Sequence, residues 1–174
     1  MHTKAARSSH AECTGGRRGE TGRGGGSVKI EKIDHICFAV KDLERTKKIY
    51  KENFGLEPVV EYIAESEHIK VARYYVGDVA VEFMESTSPK GEVAKFIEKR
   101  GEGVFLISYK VDDLDTALSE LKAKGANLID KEPRMLFGNR YAFVQRPNEL
   151  CGILTELLDG EFDIAQVTNT QEKR

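Results

Sequence analysis

Short apolar, β-branched runs alternate with polar segments from Ile30 onward, and turn or helix signals bound each run. Strands are predicted at 33–40, 57–64, 68–76, 79–85, 104–111, 127–130, 140–145 and 152–158. Helical spacing predicts three helices, at 43–54, 92–101 and 114–125. Asp42 and Asp113 are suited to cap the first and third helices, and Gly55 and Gly125 to end them. A Gly77-Asp78 turn joins two of the strands.

The chain repeats itself, because each half reads as βαβββ. HICFAVKDL (35–43) aligns with LISYKVDDL (106–114), which places Asp42 on Asp113. VEFME aligns with LTELL, which places Glu82 on Glu156. We therefore predict an α+β fold, with one domain over 28–160 built from tandem modules at about 30–86 and 103–158. The equivalent strands surround one shared concave surface, and 161–174 form a flexible C-terminal tail.

Residues 1–27 contain no Val, Ile, Leu, Phe, Tyr or Trp but hold seven of the 16 glycines. Such a segment buries too little apolar surface to offset its ordering entropy, so a disordered Gly/Arg-rich extension is predicted. Three interpretations stay open: an arm that contacts RNA, a mitochondrial targeting leader, or a natural start of translation near Val28. The last is favoured, because some bacterial start codons are translated as valine when they are read internally.

Charge and composition exclude several classes of protein. The net charge is −2, but residues 1–27 carry +3, so the remaining chain carries −5 and is a poor electrostatic match for nucleic acid. No run approaches the roughly 20 apolar residues that span a bilayer. The three cysteines form no metal-binding or disulfide pattern, which favours a reducing cytosol and a cytoplasmic protein.

The candidate chemistry lies on alternating strand faces. His35 shares a face with the small Cys37, and Glu82 and Glu156 each share a face with apolar neighbours. A carboxylate among apolar side chains is costly to bury unless it is paired, ligated or protonated. Two explanations stay open here: a divalent metal held by His35, Glu82 and Glu156, or ion pairs with a cation such as Lys70 or Lys110.

The stretch IDHICFAVKDLERTKKIYKENFGLEP resembles the first module of the vicinal oxygen chelate superfamily (glyoxalase, bleomycin resistance and dioxygenase proteins). EVAKFIEKRGEG, VDDLDTALSELKAKGANLIDKEPR, AFVQRP and GILTEL resemble its second module, and the chain is most similar to methylmalonyl-CoA epimerases. The resemblance implies a glyoxalase-like half-barrel cup with metal ligands at His35, Glu82 and Glu156. The position of the fourth ligand carries Leu106, because GEGVFL stands where the epimerases read GEGLHH.

The resemblance also implies an activity: proton abstraction α to an acyl-CoA thioester through an enediolate, aided by cobalt, manganese, nickel, iron or zinc. Glu156 is then one acid-base group. Lys70 stands where the family has a glutamate and is either the second group or an anchor for a carboxylate or phosphate. Arg140, Tyr74 and Leu106 are expected to contact the substrate. A homodimer is expected, because the edges of such half-cups need a cover.

Two other functions remain open. One is a glyoxalase-like lyase or isomerase that acts on another small substrate. The other is a non-catalytic ligand-binding protein of the same fold that has lost one metal ligand, which Phe105 and Leu106 favour because they make the pocket more apolar. Removal of metal by a chelator separates an enzyme that depends on metal from a protein that only sequesters a ligand.

Overall fold

The computed structural model describes residues 27–145, 149 and 151–171, so the extension predicted over 1–27 lies outside the described residues except for Ser27. The strands are β1 (Ile30–Ala39), β2 (Val60–Ala64), β3 (Ile69–Val76), β4 (Val79–Ser86), β5 (Gly103–Val111), β6 (Arg134–Leu136), β7 (Asn139–Gln145) and β8 (Leu154–Gly160). The helices are α1 (Leu43–Phe54), α2 (Glu92–Arg100), α3 (Leu114–Ala123) and α4 (Ile164–Gln171). A 3-10 turn covers Glu65–Glu67.

The eight strands form one mixed sheet in the order β2-β3-β4-β1-β5-β8-β7-β6. β1 runs parallel to β4, β5 runs parallel to β8, and the two modules meet where β1 and β5 pair antiparallel. The predicted duplication and the α+β half-barrel are thereby confirmed, because each module contributes the same strands in the same relation. Equivalent positions of the two modules consequently face one concave surface.

Helices α1 and α3 begin where the sequence predicts. The side chain of Asp42 accepts a hydrogen bond from the backbone N–H of Arg45 at 2.9 Å, and Asp113 accepts one from Thr116 at 2.7 Å. Leu43 and Leu114, the residues after these caps, are buried in two clusters that lie between the helices and the convex face of the sheet. Packing of α1 and α3 on the convex face leaves the concave face for the site.

The predicted strand at 127–130 is wrong, since the edge strand of the second module is β6. The backbone N–H of Asp130 donates to the carbonyl of Phe143 at 2.9 Å, and the Asp130 carboxylate accepts from the N–H of Phe143 at 3.0 Å. The Asp130 carboxylate thus accepts the hydrogen bond that the backbone carbonyl of a paired strand would accept, and the backbone pairing with β7 does not continue along 127–130. β6 pairs with β7 a few residues later, across the Phe137-Gly138 turn.

The C-terminal tail predicted over 161–174 is also corrected, because Ile164–Gln171 form α4, while residues 172–174 lie outside the described part. Asp163 accepts a hydrogen bond from the N–H of Gln166 at 3.1 Å and caps the helix. Val167 is fully buried in the cluster on the concave face. Tertiary packing of one apolar side chain therefore orders a segment whose own pattern is weak. Within the described residues, no helix is long and apolar enough to cross a membrane.

Candidate active site

The concave face encloses a cavity of about 80 Å³, and the three residues singled out as metal ligands all line it. His35 comes from β1, Glu82 from β4 and Glu156 from β8, and each is buried. Cys37 lies opposite Glu82 in the β1–β4 register, and Ser108 lies opposite Glu156 in the β5–β8 register. The repeat thus brings a histidine and two equivalent carboxylates from both modules together.

His35 joins the two halves of this group. Its Nδ1 is 2.8 Å from Oδ1 of Asp34, and its Nε2 is 3.5 Å from Oε1 of Glu156. Burial alone lowers the pKa of His35, but the carboxylates of Glu82, Asp34 and Glu156 outweigh it, so the pKa is raised. The imidazole therefore retains a proton more readily than a free histidine does.

Glu156 is in a different electrostatic state from its repeat partner. Burial raises its pKa, and this effect exceeds the opposing influence of His35 and of the Ser108 hydroxyl, which donates to Oε1 at 2.6 Å. No arginine or lysine contacts this carboxylate within the described residues. A carboxyl group whose pKa is moved toward neutrality is suited to take up and release a proton.

Glu82 is held as a carboxylate by direct contacts. Nη1 of Arg73 is 2.6 Å from Oε1 of Glu82, the Tyr62 hydroxyl donates to the same oxygen at 3.1 Å, and Cys37 Sγ donates to Oε2 at 3.3 Å. Burial raises the pKa of Glu82, but His35 and Arg73 lower it by more, so the net direction is downward. Of the two explanations left open for buried Glu82, the ion pair is present, and its cation is Arg73.

Arg73 lies in the site although the sequence analysis did not select it. It is 2% exposed, its Nη2 lies 3.4 Å from Oδ1 of Asp34, and its guanidinium lies 4.4 Å from the ring centroid of Phe162. The two-residue turn at Gly77-Asp78 sets the β3–β4 register and places Arg73 opposite Glu82. Counting back from this turn identifies the pair in the sequence.

Lys70 does not face the cavity, which corrects the expectation for this residue. The same register places it opposite Glu85, and Nζ lies 3.0 Å from a Glu85 carboxylate oxygen. Glu82 and Met84 point into the cup, so Glu85 points to the opposite face of the sheet. Lys70 lies on that opposite face as well, because directly paired residues on neighbouring strands share a face. Lys110, the second cation considered, pairs with Glu161.

Two of the three expected substrate contacts also lie outside the cavity. Tyr74 is buried beneath α1, where its ring packs against Tyr50 and Phe83. Arg140 reaches Asp115 on α3 and is directed away from the cup. Leu106 does line the cavity, where it neighbours Cys37 across the β1–β5 pair. Tyr74 and Arg140 lie outside the cavity because side chains alternate along a strand, so a difference of one residue moves a side chain to the opposite face of the sheet.

The comparison with protein families decides the classification. Residues 34–143 match the model of the glyoxalase/bleomycin resistance protein/dioxygenase superfamily. The chain belongs to this superfamily. Its fold is a cup formed by two βαβββ modules, and His35 on β1, Glu82 on β4 and Glu156 on β8 line the cavity of this cup.

Individual relatives of this superfamily member are similar over most of their length. The uncharacterized protein YqjC of Bacillus subtilis is 30% identical over 135 residues, 77% of this chain and 96% of that protein. Human mitochondrial methylmalonyl-CoA epimerase is 27% identical and aligns over 76% of each chain. The structure of Streptomyces coelicolor methylmalonyl-CoA epimerase with 2-nitronate-propionyl-CoA superposes with a TM-score of 0.70 at 29% identity, covering 75% of this chain and 94% of that one.

The superfamily cup offers donor atoms for a metal. One nitrogen of His35, Sγ of Cys37 and one oxygen of Glu82 lie within 4.8 Å of one another, and this buried group could hold a metal ion. The contact between Asp34 and His35 Nδ1 fits such a role, because ligating histidines usually donate their other N–H to a carboxylate or carbonyl. The donor set is therefore chemically compatible with a metal, although Arg73 already neutralises part of its negative charge.

A groove of about 490 Å³ lies beside the cavity along α2 and shares several lining residues with it, among them Met84, Leu106 and Phe143. Apolar side chains, including Val93, Phe96 and Phe105, line much of the groove. Its basic residues are Lys95, Lys99, Arg100 and Arg134. The site thus combines a small polar cavity with a larger groove that is suited to an elongated, partly anionic molecule.

Proposed function

We propose that the protein is a metal-dependent isomerase that resembles methylmalonyl-CoA epimerase. It moves a proton on the carbon next to the thioester carbonyl of an acyl-CoA, through an enediolate. The observation that carries the proposal is the convergence of His35, Glu82 and Glu156 on one buried cavity. The substrate class is supported by relatives that are named methylmalonyl-CoA epimerases and by a similar structure that holds an acyl-CoA analogue.

His35 and Glu82, whose donor atoms lie within 4.8 Å of each other, would hold the divalent cation together with Glu156, and Cys37 Sγ is a further donor atom in the same group. The cation is one of cobalt, manganese, nickel, iron or zinc. A bound dication supplies Lewis-acid stabilisation of the negative charge that develops on the substrate oxygens. Asp34 orients the imidazole of His35 toward the cavity interior through its 2.8 Å contact with Nδ1. Arg73 keeps Glu82 ionised, which is the form that a ligand requires.

Epimerisation requires a proton to leave one face of the α-carbon and another to arrive on the opposite face. Glu156 is one acid-base group, since its pKa is raised and Ser108 fixes its orientation. Because Lys70 lies outside the cup, another group must serve the second face. Besides Glu82 and Glu156, Glu67 is the carboxylate among the described residues that line the cavity. We assign the second proton transfer to Glu67, which contacts Tyr141 at 3.3 Å and Arg134 at 3.1 Å.

The groove along α2 is the part of the proposed site that receives the carrier arm of the thioester. Its apolar lining suits a flexible chain, and its lysines and arginines suit phosphate groups. The acyl group then lies in the cavity of about 80 Å³, next to Glu156. A small cavity next to a large basic groove suits a substrate with a small acyl group on a large anionic carrier.

The test is exchange of the α-proton of methylmalonyl-CoA in D2O, followed by mass spectrometry on protein loaded with each candidate metal. We expect wild-type protein to exchange both stereoisomers. Glu67→Gln should abolish abstraction from one stereoisomer and retain some exchange of the other, because it removes one base. Glu156→Gln should lose exchange of both, because it removes a base and a carboxylate ligand of the metal. Arg140→Met, on the α3 side, is the matched control and should exchange normally. The absence of exchange by wild-type protein with every metal would overturn the proposal.

A non-catalytic ligand-binding protein is the second candidate, and two observations favour it. Leu106 replaces the ligand that the epimerases place on the fifth strand, and Arg73 occupies Oε1 of Glu82. In that case acyl-CoA stabilises the protein against heat equally with and without a chelator, and no deuterium enters the substrate. The same D2O experiment, repeated after dialysis against chelator, therefore separates the two candidates.

A further inference from the structure

Arg73 is a positive group inside the candidate metal site, and its guanidinium already occupies a ligand. Nη1 lies 2.6 Å from Oε1 of Glu82, which is one of the three residues whose donor atoms could hold an ion. Both side chains are almost fully buried, so little water screens the charges. A guanidinium and a divalent cation on one carboxylate oxygen repel each other strongly in such surroundings. Arg73 and the ion are therefore competitors for Glu82.

The hydrogen bonds of Arg73 are incomplete in this position. Nε is buried and has no hydrogen-bond partner among the described residues. Nη2 lies 3.4 Å from Oδ1 of Asp34, which is long for a hydrogen bond between charged groups. A buried donor without a partner is costly. The guanidinium is thus held by one short contact, to Glu82, and loses no other strong hydrogen bond when this contact breaks.

Asp34 offers the guanidinium a second position. Among the described residues, the hydrogen bonds that Asp34 accepts all end on Oδ1, so Oδ2 is available as an acceptor. The ring centroids of Phe162 and Tyr75 lie 4.4 and 5.3 Å from the guanidinium carbon, and these cation–π contacts do not involve Glu82. A movement from Glu82 to Asp34 therefore keeps the arginine paired and next to the same two rings.

We propose that Arg73 is the resident counter-ion of Glu82 and is displaced by a divalent cation. The guanidinium moves from Glu82 to Asp34 when the site binds the cation, and Oε1 of Glu82 becomes a ligand atom. Each of the two carboxylates then has a positive partner of its own, so no buried charge is left alone. This inference rests on the proposed function in one respect, the binding of a metal, and adds to it the residue that sets how tightly the metal is held.

A guanidinium that stayed on Glu82 would have the opposite effect on metal affinity. It would orient the carboxylate through Oε1, and the ion would bind Oε2, to which Cys37 Sγ donates at 3.3 Å. Removal of Arg73 would then weaken metal binding, as the loss of an orienting partner does. Removal of a competitor strengthens metal binding instead, because the binding-competent state is no longer only partly populated. The sign of the change decides between these two roles.

The experiment measures the zinc affinity of chelator-stripped wild-type protein and Arg73→Met by competition with a chromophoric chelator. Arg73→Met should bind zinc about tenfold more tightly or better. Zinc should also raise the melting temperature of Arg73→Met by more than that of wild type, because the ion replaces the missing partner of Glu82. Arg140→Met removes the same charge outside the cup and should bind zinc as wild type does. An equal or weaker zinc affinity of Arg73→Met would overturn the displacement.

Asp34→Asn tests the second position of the guanidinium. It removes the carboxylate that receives the arginine, so it should weaken zinc binding more in the wild-type background than in Arg73→Met. Asp34 also contacts Nδ1 of His35, but this contact is lost in both backgrounds and cancels in the comparison. Equal losses of zinc affinity in the two backgrounds would overturn Asp34 as the receiving group.

A crystal structure of zinc-loaded wild-type protein gives a result that does not depend on the folding of any variant. Nη1 of Arg73 should lie beyond hydrogen-bond distance of Glu82, and the guanidinium should contact Asp34. A contact between Arg73 and Oε1 of Glu82 that persists beside bound zinc would overturn the proposal.

The outcomes separate the displacement of Arg73 from the proposed function. If metal-loaded wild-type protein exchanges the α-proton of methylmalonyl-CoA but Arg73→Met binds zinc no more tightly, the displacement fails and the function stands. If Arg73→Met binds zinc more tightly but no metal-loaded protein exchanges the α-proton, the function fails and the displacement stands. If neither protein binds any of the candidate metals, both are overturned.

Discussion

Arg73 on β3 and Glu82 on β4 lie directly opposite each other, and Nη1 of the arginine is 2.6 Å from Oε1 of the glutamate. Both side chains are almost fully buried, which distinguishes this pair from the exposed ion pairs on the helices. A buried pair contributes less to stability than its distance suggests, because both charges lose their hydration. Breaking it on one side only, however, leaves an uncompensated charge.

Arg73→Met is therefore expected to destabilise the protein by about 3–5 kcal/mol, since it leaves the Glu82 carboxylate buried without its cation. The double variant Arg73→Met/Glu82→Gln should recover a large part of this loss, because both charges are removed together. Urea denaturation of Arg73→Met, Glu82→Gln and the double variant measures the coupling energy between Arg73 and Glu82. Additive losses would contradict a direct pair, and Arg140→Met, on the α3 side, should leave the midpoint nearly unchanged.

Ser108→Ala tests the contact that orients Glu156. The hydroxyl donates to Oε1 at 2.6 Å and favours the ionised carboxylate, so its removal should raise the pKa of Glu156 further. The lower limb of the pH profile for α-proton exchange should then move to higher pH by about one unit. Ser119→Ala, on the exposed surface of α3, should leave the profile in place. A profile that moves to lower pH would contradict the assignment of Glu156 as the base.

Stability should depend on pH through Glu156 in a direction opposite to most carboxylates. Its folded pKa lies above the ordinary 4.5, so the folded state binds more protons than the unfolded state and stability falls as pH rises from 4.5 through the folded pKa. Glu82 has a lowered pKa and contributes in the reverse sense, with stability lost as pH falls below 4.5.

Glu156→Gln should consequently gain stability relative to wild type as pH rises from 4.5 through the folded pKa of Glu156, in chelator-treated protein. Thermal melts at several pH values measure the difference between the two proteins. Glu82→Gln is the matched comparison, and its deficit relative to wild type should shrink as pH falls below 4.5, where wild type loses the contribution of the ionised carboxylate. A difference between Glu156→Gln and wild type that does not change with pH would contradict the raised pKa.

Leu106→His tests the missing metal ligand. Leu106 is buried beside Cys37 and lines the same cavity as His35, Glu82 and Glu156, so an imidazole there would reach the same group. Zinc affinity should increase by about tenfold or more, the equivalent of about 1.4 kcal/mol. Competition with a chromophoric chelator measures it. Leu106→Ala opens the same space without a ligand and should not tighten binding; equal affinity of both variants would place the metal elsewhere.

Local patterns predicted much of this fold. The Asp42 and Asp113 caps and the repeat are confirmed, because capping and helical spacing depend on a few neighbouring residues. The placement of Glu82 and Glu156 on the concave face is also local in origin, since side chains alternate along a strand with a period of two. The two-residue turn at Gly77-Asp78 also fixes the β3–β4 register, and this register places Arg73 opposite Glu82.

The sequence by itself thus determined the two modules, most of their helices and strands, and the strand faces that carry His35, Glu82 and Glu156. Only the tertiary structure decided that the Arg73 guanidinium also contacts Asp34 and the ring of Phe162, that Asp130 ends a strand before it forms, and that α4 is ordered by the burial of Val167. The reason is physical. Periodicity and capping act over a few residues, whereas the partner of a buried charge or of an apolar helix face depends on which strands close around it.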